Sequence, residues 1–125
     1  MISIVDDDQS VRDGMVDLLR AVGFDAEAFE RPETFLQSSR VDRTSCLITD
    51  VRMPGMTGLE LHDRLVASGK PIPTIVITAF PKDVDRKRAR QAGVICYLAK
   101  PVVENELITC INSALTLSAS SRRQP

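Results

Sequence analysis

Hydrophobic positions along the chain fall into two alternating rhythms. Short apolar runs at Ile2-Ser3-Ile4-Val5, Cys46-Leu47-Ile48-Thr49 and Thr74-Ile75-Val76-Ile77-Thr78 are bounded by polar or turn residues, the pattern of strands buried on both faces. Phe24 to Phe29, interrupted by polar residues, reads as a strand nearer a sheet edge, and Val94 to Leu98 as a fifth strand. Between these runs the spacing turns helical. Val11, Met15, Leu18 and Val22 lie on one stripe, and Gly23 is a C-terminal stop. Pro32, at a first helical position, opens a brief helix through Phe35 and Leu36. Thr57-Gly58-Leu59-Glu60 has the capping-box pattern and heads a helix to about Ser68. A charged helix from Lys82 to Ala92 stops at Gly93, and Leu107, Ile108, Ile111 and Leu115 mark a last amphipathic helix. Five strands alternating with five helices predict an α/β fold, a doubly wound parallel sheet with right-handed crossovers and helices on both faces. Residues 1–117 read as one domain, and the polar residues 118–125 as a tail or the start of a linker.

Composition changes this picture little. A chain of 125 residues is one domain with one substantial core, and 43% hydrophobic with 26% charged residues is ordinary for a globular protein. The net charge of −1 gives no electrostatic reason to bind nucleic acid or a membrane surface. No apolar run approaches the roughly 20 residues that span a bilayer, and Met1 leads straight into a strand pattern rather than a signal peptide. Cys46, Cys96 and Cys110 are widely spaced within apolar patterns, which predicts reduced core thiols in a cytoplasmic protein and neither a disulfide framework nor a metal site.

The chemistry lies at the strand ends. Asp6 and Asp7 follow the first strand, Asp50 ends the third, Thr78 ends the fourth and Lys100 follows the fifth. In open α/β sheets the carboxyl ends of the strands form the ligand crevice. There, three carboxylates, a hydroxyl and an ammonium would meet. Carboxylates so close cannot all remain ionised without a compensating charge. An all-oxygen donor set suits Mg²⁺, whose two charges with Lys100 balance the three Asp. A phosphoryl group would bring about −1.5 to −2 charge. Lys100 and the Thr78 hydroxyl are available to its oxygens, and Asp50 is placed to act as nucleophile.

The motifs Val5-Asp6-Asp7-Asp8, Asp50 through Gly58, Ile77-Thr78-Ala79 and Tyr97-Leu98-Ala99-Lys100-Pro101 resemble those of the receiver domain of two-component response regulators, over about residues 2–117. The wording around Asp50 is most similar to the FixJ/NarL-like branch. The resemblance implies a flavodoxin-like (βα)5 fold with strand order 2-1-3-4-5 and a phosphoacceptor role for Asp50. Asp7, Asp50 and the Arg52 backbone carbonyl would ligate Mg²⁺ (or Mn²⁺), with Asp6 acting through water. Thr78 and Tyr97 would form the switch pair, Lys100 would hold phosphoryl oxygens, and Lys100-Pro101 would be cis. The implied partners are a sensor histidine kinase and, after phosphorylation, a second copy docked through the fourth helix, fifth strand and fifth helix. Output would pass to a C-terminal DNA-binding domain, with no nucleic-acid contact by this domain. A stand-alone receiver acting through protein contacts is the alternative.

Some features depart from the family pattern or sit outside it. Phe80-Pro81 stands where many relatives have a small or glycine-rich loop, and Lys82 to Arg90 carries a local charge of +3, read first as a solvated face. His62, in the stripe with Gly58, Leu61 and Leu65, reads as a boundary packing residue. A haloacid-dehalogenase-like phosphatase would place an acid two residues after the nucleophile, where Arg52 stands, so a turnover enzyme is not expected. Slow self-dephosphorylation is compatible with this. A flavodoxin-like carrier would want a Ser/Thr/Gly-rich phosphate loop where three acids follow the first strand.

Overall fold

The computed structural model describes residues 1–123, the last four by backbone alone. Strands β1 (Ile2–Val5), β2 (Ala26–Phe29), β3 (Cys46–Asp50), β4 (Thr74–Thr78) and β5 (Cys96–Ala99) form one sheet in the order β2-β1-β3-β4-β5. Every neighbouring pair is parallel. Helices α1 (Gln9–Val22), α2 (Pro32–Gln37), α3 (Gly58–Ala67), α4 (Asp83–Ala92) and α5 (Glu104–Arg123) make the crossovers, with a 3-10 turn at Ser39–Arg43 before β3. The expected fold and strand order are borne out.

The two-residue period of a strand sorts the core into two sides. Ile2, Ile4, Cys46, Ile48, Ile75 and Ile77 pack with Met15 and Leu19 of α1 and with Leu107, Ile111 and Ala114 of α5. Their neighbours in sequence, Val5 and Leu47, pack with Phe35, Leu61 and Leu65 on the other side. Every residue of the central strands β1, β3 and β4 is buried, hence their near-continuous apolar runs.

Helix ends explain where the expected boundaries move. Asp8 is the N-cap of α1 and accepts from the Ser10 and Val11 amides at 2.9 and 3.3 Å, so neither Asp6 nor Asp7 serves as the cap. At its other end Gly23 takes a left-handed φ of 108°, and the Phe24 amide closes back on the Leu19 carbonyl. Phe24 therefore belongs to the helix stop, and β2 begins at Ala26 rather than Phe24. The same device at Gly93, with Val94 N–H bonded to the Ala89 carbonyl, moves the start of β5 to Cys96. Thr57 and Glu60 complete the expected capping box on α3.

One expectation is corrected. Cys96 and Cys110 are joined as a disulfide, so only Cys46 is a free thiol. The crossover from β5 to α5 folds back and brings the two Cα atoms to 6.3 Å, within bonding range, although they stand 14 residues apart in sequence. Helix α5 runs on to Arg123, so positions 118–123 of the expected tail or linker are helical; the last two positions lie outside the described residues. No described helix is long and apolar enough to cross a membrane.

Candidate functional site

Each side chain at the site is delivered by the end of a strand. Asp50 is the last residue of β3 and is paired with Ile77 of β4. The Val51 amide continues the ladder to the Ile77 carbonyl at 3.0 Å, which fixes the direction of the chain past Asp50. The Asp6 amide bonds the Phe29 carbonyl of β2 at 3.1 Å, and the Lys100 amide bonds the Thr78 carbonyl at 2.7 Å. The Lys100-Pro101 peptide is cis, as expected, and stands directly before the crossover to α5. Strand β2 ends instead in Phe29, whose ring packs edge-on against Phe35 at 5.3 Å.

One carboxylate oxygen from each of Asp6, Asp7 and Asp50 lies within 4.8 Å of the others. The Lys100 ammonium bridges two of them, donating to Asp6 Oδ2 at 2.9 Å and to Asp50 Oδ2 at 3.1 Å. The Asp8 amide donates to Asp6 Oδ1 at 2.9 Å and the Arg52 amide to Asp50 Oδ1 at 3.3 Å. Asp6 is wholly buried, Asp50 nearly so, and Asp7 faces solvent. Burial pushes the Asp6 carboxyl above its ordinary 3.8, against the Asp8 amide and Lys100, and the neighbouring Asp50 adds to the rise. Burial works against the Lys100 ammonium, but Asp6 and Asp50 outweigh it and hold its proton above the ordinary 10.5. Three carboxylates against one ammonium leave an excess of two negative charges. An oxygen-ligated divalent cation matches both that charge and the donor type.

Around this centre, Thr78 is buried, and its Oγ1 accepts the Phe80 amide at 3.1 Å. Tyr97 is half-buried on β5; its hydroxyl accepts the Lys82 amide at 3.2 Å, and the Arg86 guanidinium lies 5.3 Å from its ring centre. The residue pair expected to switch thus sits on neighbouring strands, with Tyr97 tied to the start of α4. The Arg52 side chain reaches Asp85 of α4 at 3.3 Å. The structure brings Asp6, Asp7 and Asp50 within reach of one another, joins Asp6 and Asp50 through Lys100, and leaves Tyr97 at the α4 edge.

Two supports were not read from the sequence. A Cβ placed on Gly58 would land on the Asp50 carbonyl oxygen, so α3 can start this close to Asp50 only with glycine there. Arg12 donates to the Asp6 carbonyl at 2.8 Å, tying α1 to the first acidic loop. The position of Gly58 directly after the capping Thr57 was the available signal for the first; no local pattern marks the second. His62, expected as a boundary packing residue, is packed and buried, with Nδ1 3.0 Å from Thr74 Oγ1 and Nε2 2.9 Å from the Ala92 carbonyl.

Comparison with known proteins agrees with this geometry. The response regulator receiver domain family matches residues 2–112. The response regulator protein TodT of Pseudomonas putida is 35% identical over 98% of this chain and 54% of its own length. The transcriptional regulatory protein FixJ of Bradyrhizobium diazoefficiens is 32% identical over 91% of this chain and 56% of its own. Among solved structures, the response regulator StyR superposes with a TM-score of 0.87 at 43% identity, covering 98% of this chain and 62% of that one. FixJ-N superposes with a TM-score of 0.82 at 32% identity, covering 92% of each. The chain spans about half the length of the curated relatives it matches.

Proposed function

The chain belongs to the response regulator receiver family, and from that premise we propose that it accepts a phosphoryl group on Asp50 from a sensor histidine kinase and changes its α4-β5-α5 face in response. The observation that carries this reading is the Lys100 ammonium shared between Asp6 and Asp50 beside the exposed Asp7. Asp7, Asp50 and the Arg52 carbonyl would hold Mg²⁺, with Asp6 one water removed. Bound there, the ion supplies charge neutralisation for the incoming phosphoryl oxygens.

An Asp50 carboxylate oxygen attacks phosphorus, the P–N bond to the donor imidazole breaks, and the imidazole leaves with the electron pair. Lys100 is already 3.1 Å from Asp50 Oδ2 and can transfer its hydrogen bonds to the phosphoryl oxygens without leaving the crevice. The work is positioning and neutralisation, as in other phosphoryl transfers. No acid stands two residues beyond Asp50, where Arg52 instead pairs with Asp85, so fast turnover is not expected and self-dephosphorylation is slow.

Thr78 answers the new charge by giving its hydroxyl hydrogen to a phosphoryl oxygen. Moving it weakens its hold on the Phe80 amide and opens room toward which Tyr97 can rotate, releasing the Lys82 amide at the start of α4. Taking such a switch from 1:99 to 99:1 requires about 5.5 kcal/mol of differential binding. The altered face then pairs with a second copy. In a longer protein it would report to a DNA-binding domain, in keeping with its similarity to FixJ, a transcriptional regulatory protein.

The test uses beryllofluoride with Mg²⁺ as a phosphoryl mimic, read by light scattering and amide exchange. The wild type should self-associate and change its exchange across residues 82–98, while Thr78→Ala should bind the mimic with a blunted response. An activated wild type that stays monomeric with unchanged exchange there would overturn the switch.

A further inference from the structure

The two bonded cysteines occupy an unusual place relative to the signalling face. Cys96 is the first residue of β5, an edge strand of the sheet, and is half-buried. Cys110 lies on the core side of α5 and is 8% exposed. The segment they close contains both Tyr97 and Lys100, one residue and four residues after Cys96. Cys46 differs in every respect: it sits wholly buried in a central strand, and burial pushes its thiol up to about 12, which leaves almost no reactive thiolate.

We propose that Cys96 and Cys110 are a reversible redox clamp: hydroperoxides or small disulfides oxidise the pair, and the resulting bond restrains the phosphorylation-driven movement of β5 against α5. The effect on the switch rests on the phosphoacceptor reading above; the formation of the bond does not. A disulfide confines its Cα atoms to about 4.4–6.8 Å. The present separation is 6.3 Å, so the oxidised pair can part by only about half an ångström more. The reduced pair has no such limit. A rotation of Tyr97 that draws β5 away from α5, or a resettling of Lys100 on new oxygens, meets that limit only in the oxidised form.

With a hydroperoxide the chemistry balances in two steps. The thiolate of Cys96, the more exposed of the two, attacks the peroxide; the O–O bond breaks and a sulfenic acid forms, with water (or the corresponding alcohol) leaving. The Cys110 sulfur then attacks the sulfenic sulfur, the S–O bond breaks and a second oxygen leaves as water. Two thiols lose two electrons and two protons in all, and a dithiol reductant returns them by exchange.

The experiment uses the whole chain, reduced with dithiothreitol or oxidised with hydrogen peroxide, then denatured and alkylated for intact mass and peptide mapping. The reduced protein should take three labels and the oxidised protein one, at Cys46. In parallel, amide exchange over residues 96–103 is measured with and without beryllofluoride and Mg²⁺. The reduced protein should respond, the oxidised protein should lose most of that response, and dithiothreitol should restore it. Cys110→Ser should respond alike under both conditions, and Cys46→Ala should keep the wild-type redox-dependent response while taking two labels when reduced and none when oxidised. Three labels after peroxide would overturn the clamp, as would one label with an undiminished response. If the reduced protein fails to respond, the clamp's control of the switch fails; the phosphoacceptor reading is decided separately by whether acetyl phosphate adds a phosphoryl mass at Asp50, and the label count still decides whether the bond forms.

Discussion

One substitution, glycine to alanine, should have opposite effects at two helical positions. Alanine in place of glycine inside a helix ordinarily stabilises by about 0.5–1 kcal/mol. Gly14, mid-helix in α1 and solvent-exposed, has nothing within 4 Å of the point where a Cβ would stand, so Gly14→Ala should give that gain. Gly58 is the first residue of α3, where the helical benefit is smaller, and its Cβ would strike the Asp50 carbonyl oxygen and press Thr49 Cγ2 at 3.0 Å. The obstacle is backbone of the central strand, so α3 must shift away from β3, and such overpacking costs about 1–3 kcal/mol. With a urea m-value of about 2 kcal/mol/M, Gly58→Ala should lower the midpoint by about 0.5–1.5 M, while Gly14→Ala should raise it by about 0.3–0.5 M, m being unchanged in both. Because Gly58 N–H also bonds the Val51 carbonyl at 2.9 Å, the shift disturbs the loop carrying Arg52, and Gly58→Ala should gain less stability from Mg²⁺ than wild type. A Gly58→Ala protein as stable as wild type would refute the packing argument, whatever its phosphorylation.

The remaining predictions are smaller in scope. Cys46 keeps its proton to about 12 in the fold but ionises near 9.0 when unfolded, so the stability this gives is fully present below 9.0 and is lost as pH rises to about 12. With Cys96–Cys110 kept oxidised, wild type should lose roughly 1.4 kcal/mol per pH unit in that window beyond whatever Cys46→Ala loses, and parallel urea-melt profiles would contradict this. His62→Leu strips the Ala92 carbonyl of its side-chain donor and should cost about 1–3 kcal/mol by urea denaturation, with little effect on phosphorylation. Oxidising Cys96–Cys110 should stabilise the chain by up to about 3 kcal/mol through loop closure, a gain absent from Cys110→Ser.

Much of this architecture was legible because local and global preferences agree. Strand β4 is β-branched throughout, matches its expected span and lies between two other strands, buried on both faces. Asp6, Asp7, Asp50 and Lys100 converge because parallel strands all end on one edge, so their positions in the sequence already pointed to that meeting. What escaped depends on tertiary neighbours. Cys96 and Cys110 each look like core thiols, and only the return of α5 onto β5 brings them together. The 3-10 turn Ser39–Arg43 has no periodicity; it is fixed by Ser38 capping the Arg40 amide and by Thr44, which meets Ser3 of β1 at 2.7 Å. Gly58 was visible as a residue beside a cap but not as the point where α3 grazes Asp50.

The central claim, that Asp50 accepts a phosphoryl group, is tested most directly by intact mass after incubation with acetyl phosphate and Mg²⁺. Wild type should gain one phosphoryl group, lose it on treatment with hydroxylamine as an acyl phosphate does, and gain none when the metal is chelated. Asp50→Asn should gain none under any of these conditions. Equal labelling of wild type and Asp50→Asn would contradict the assignment of Asp50.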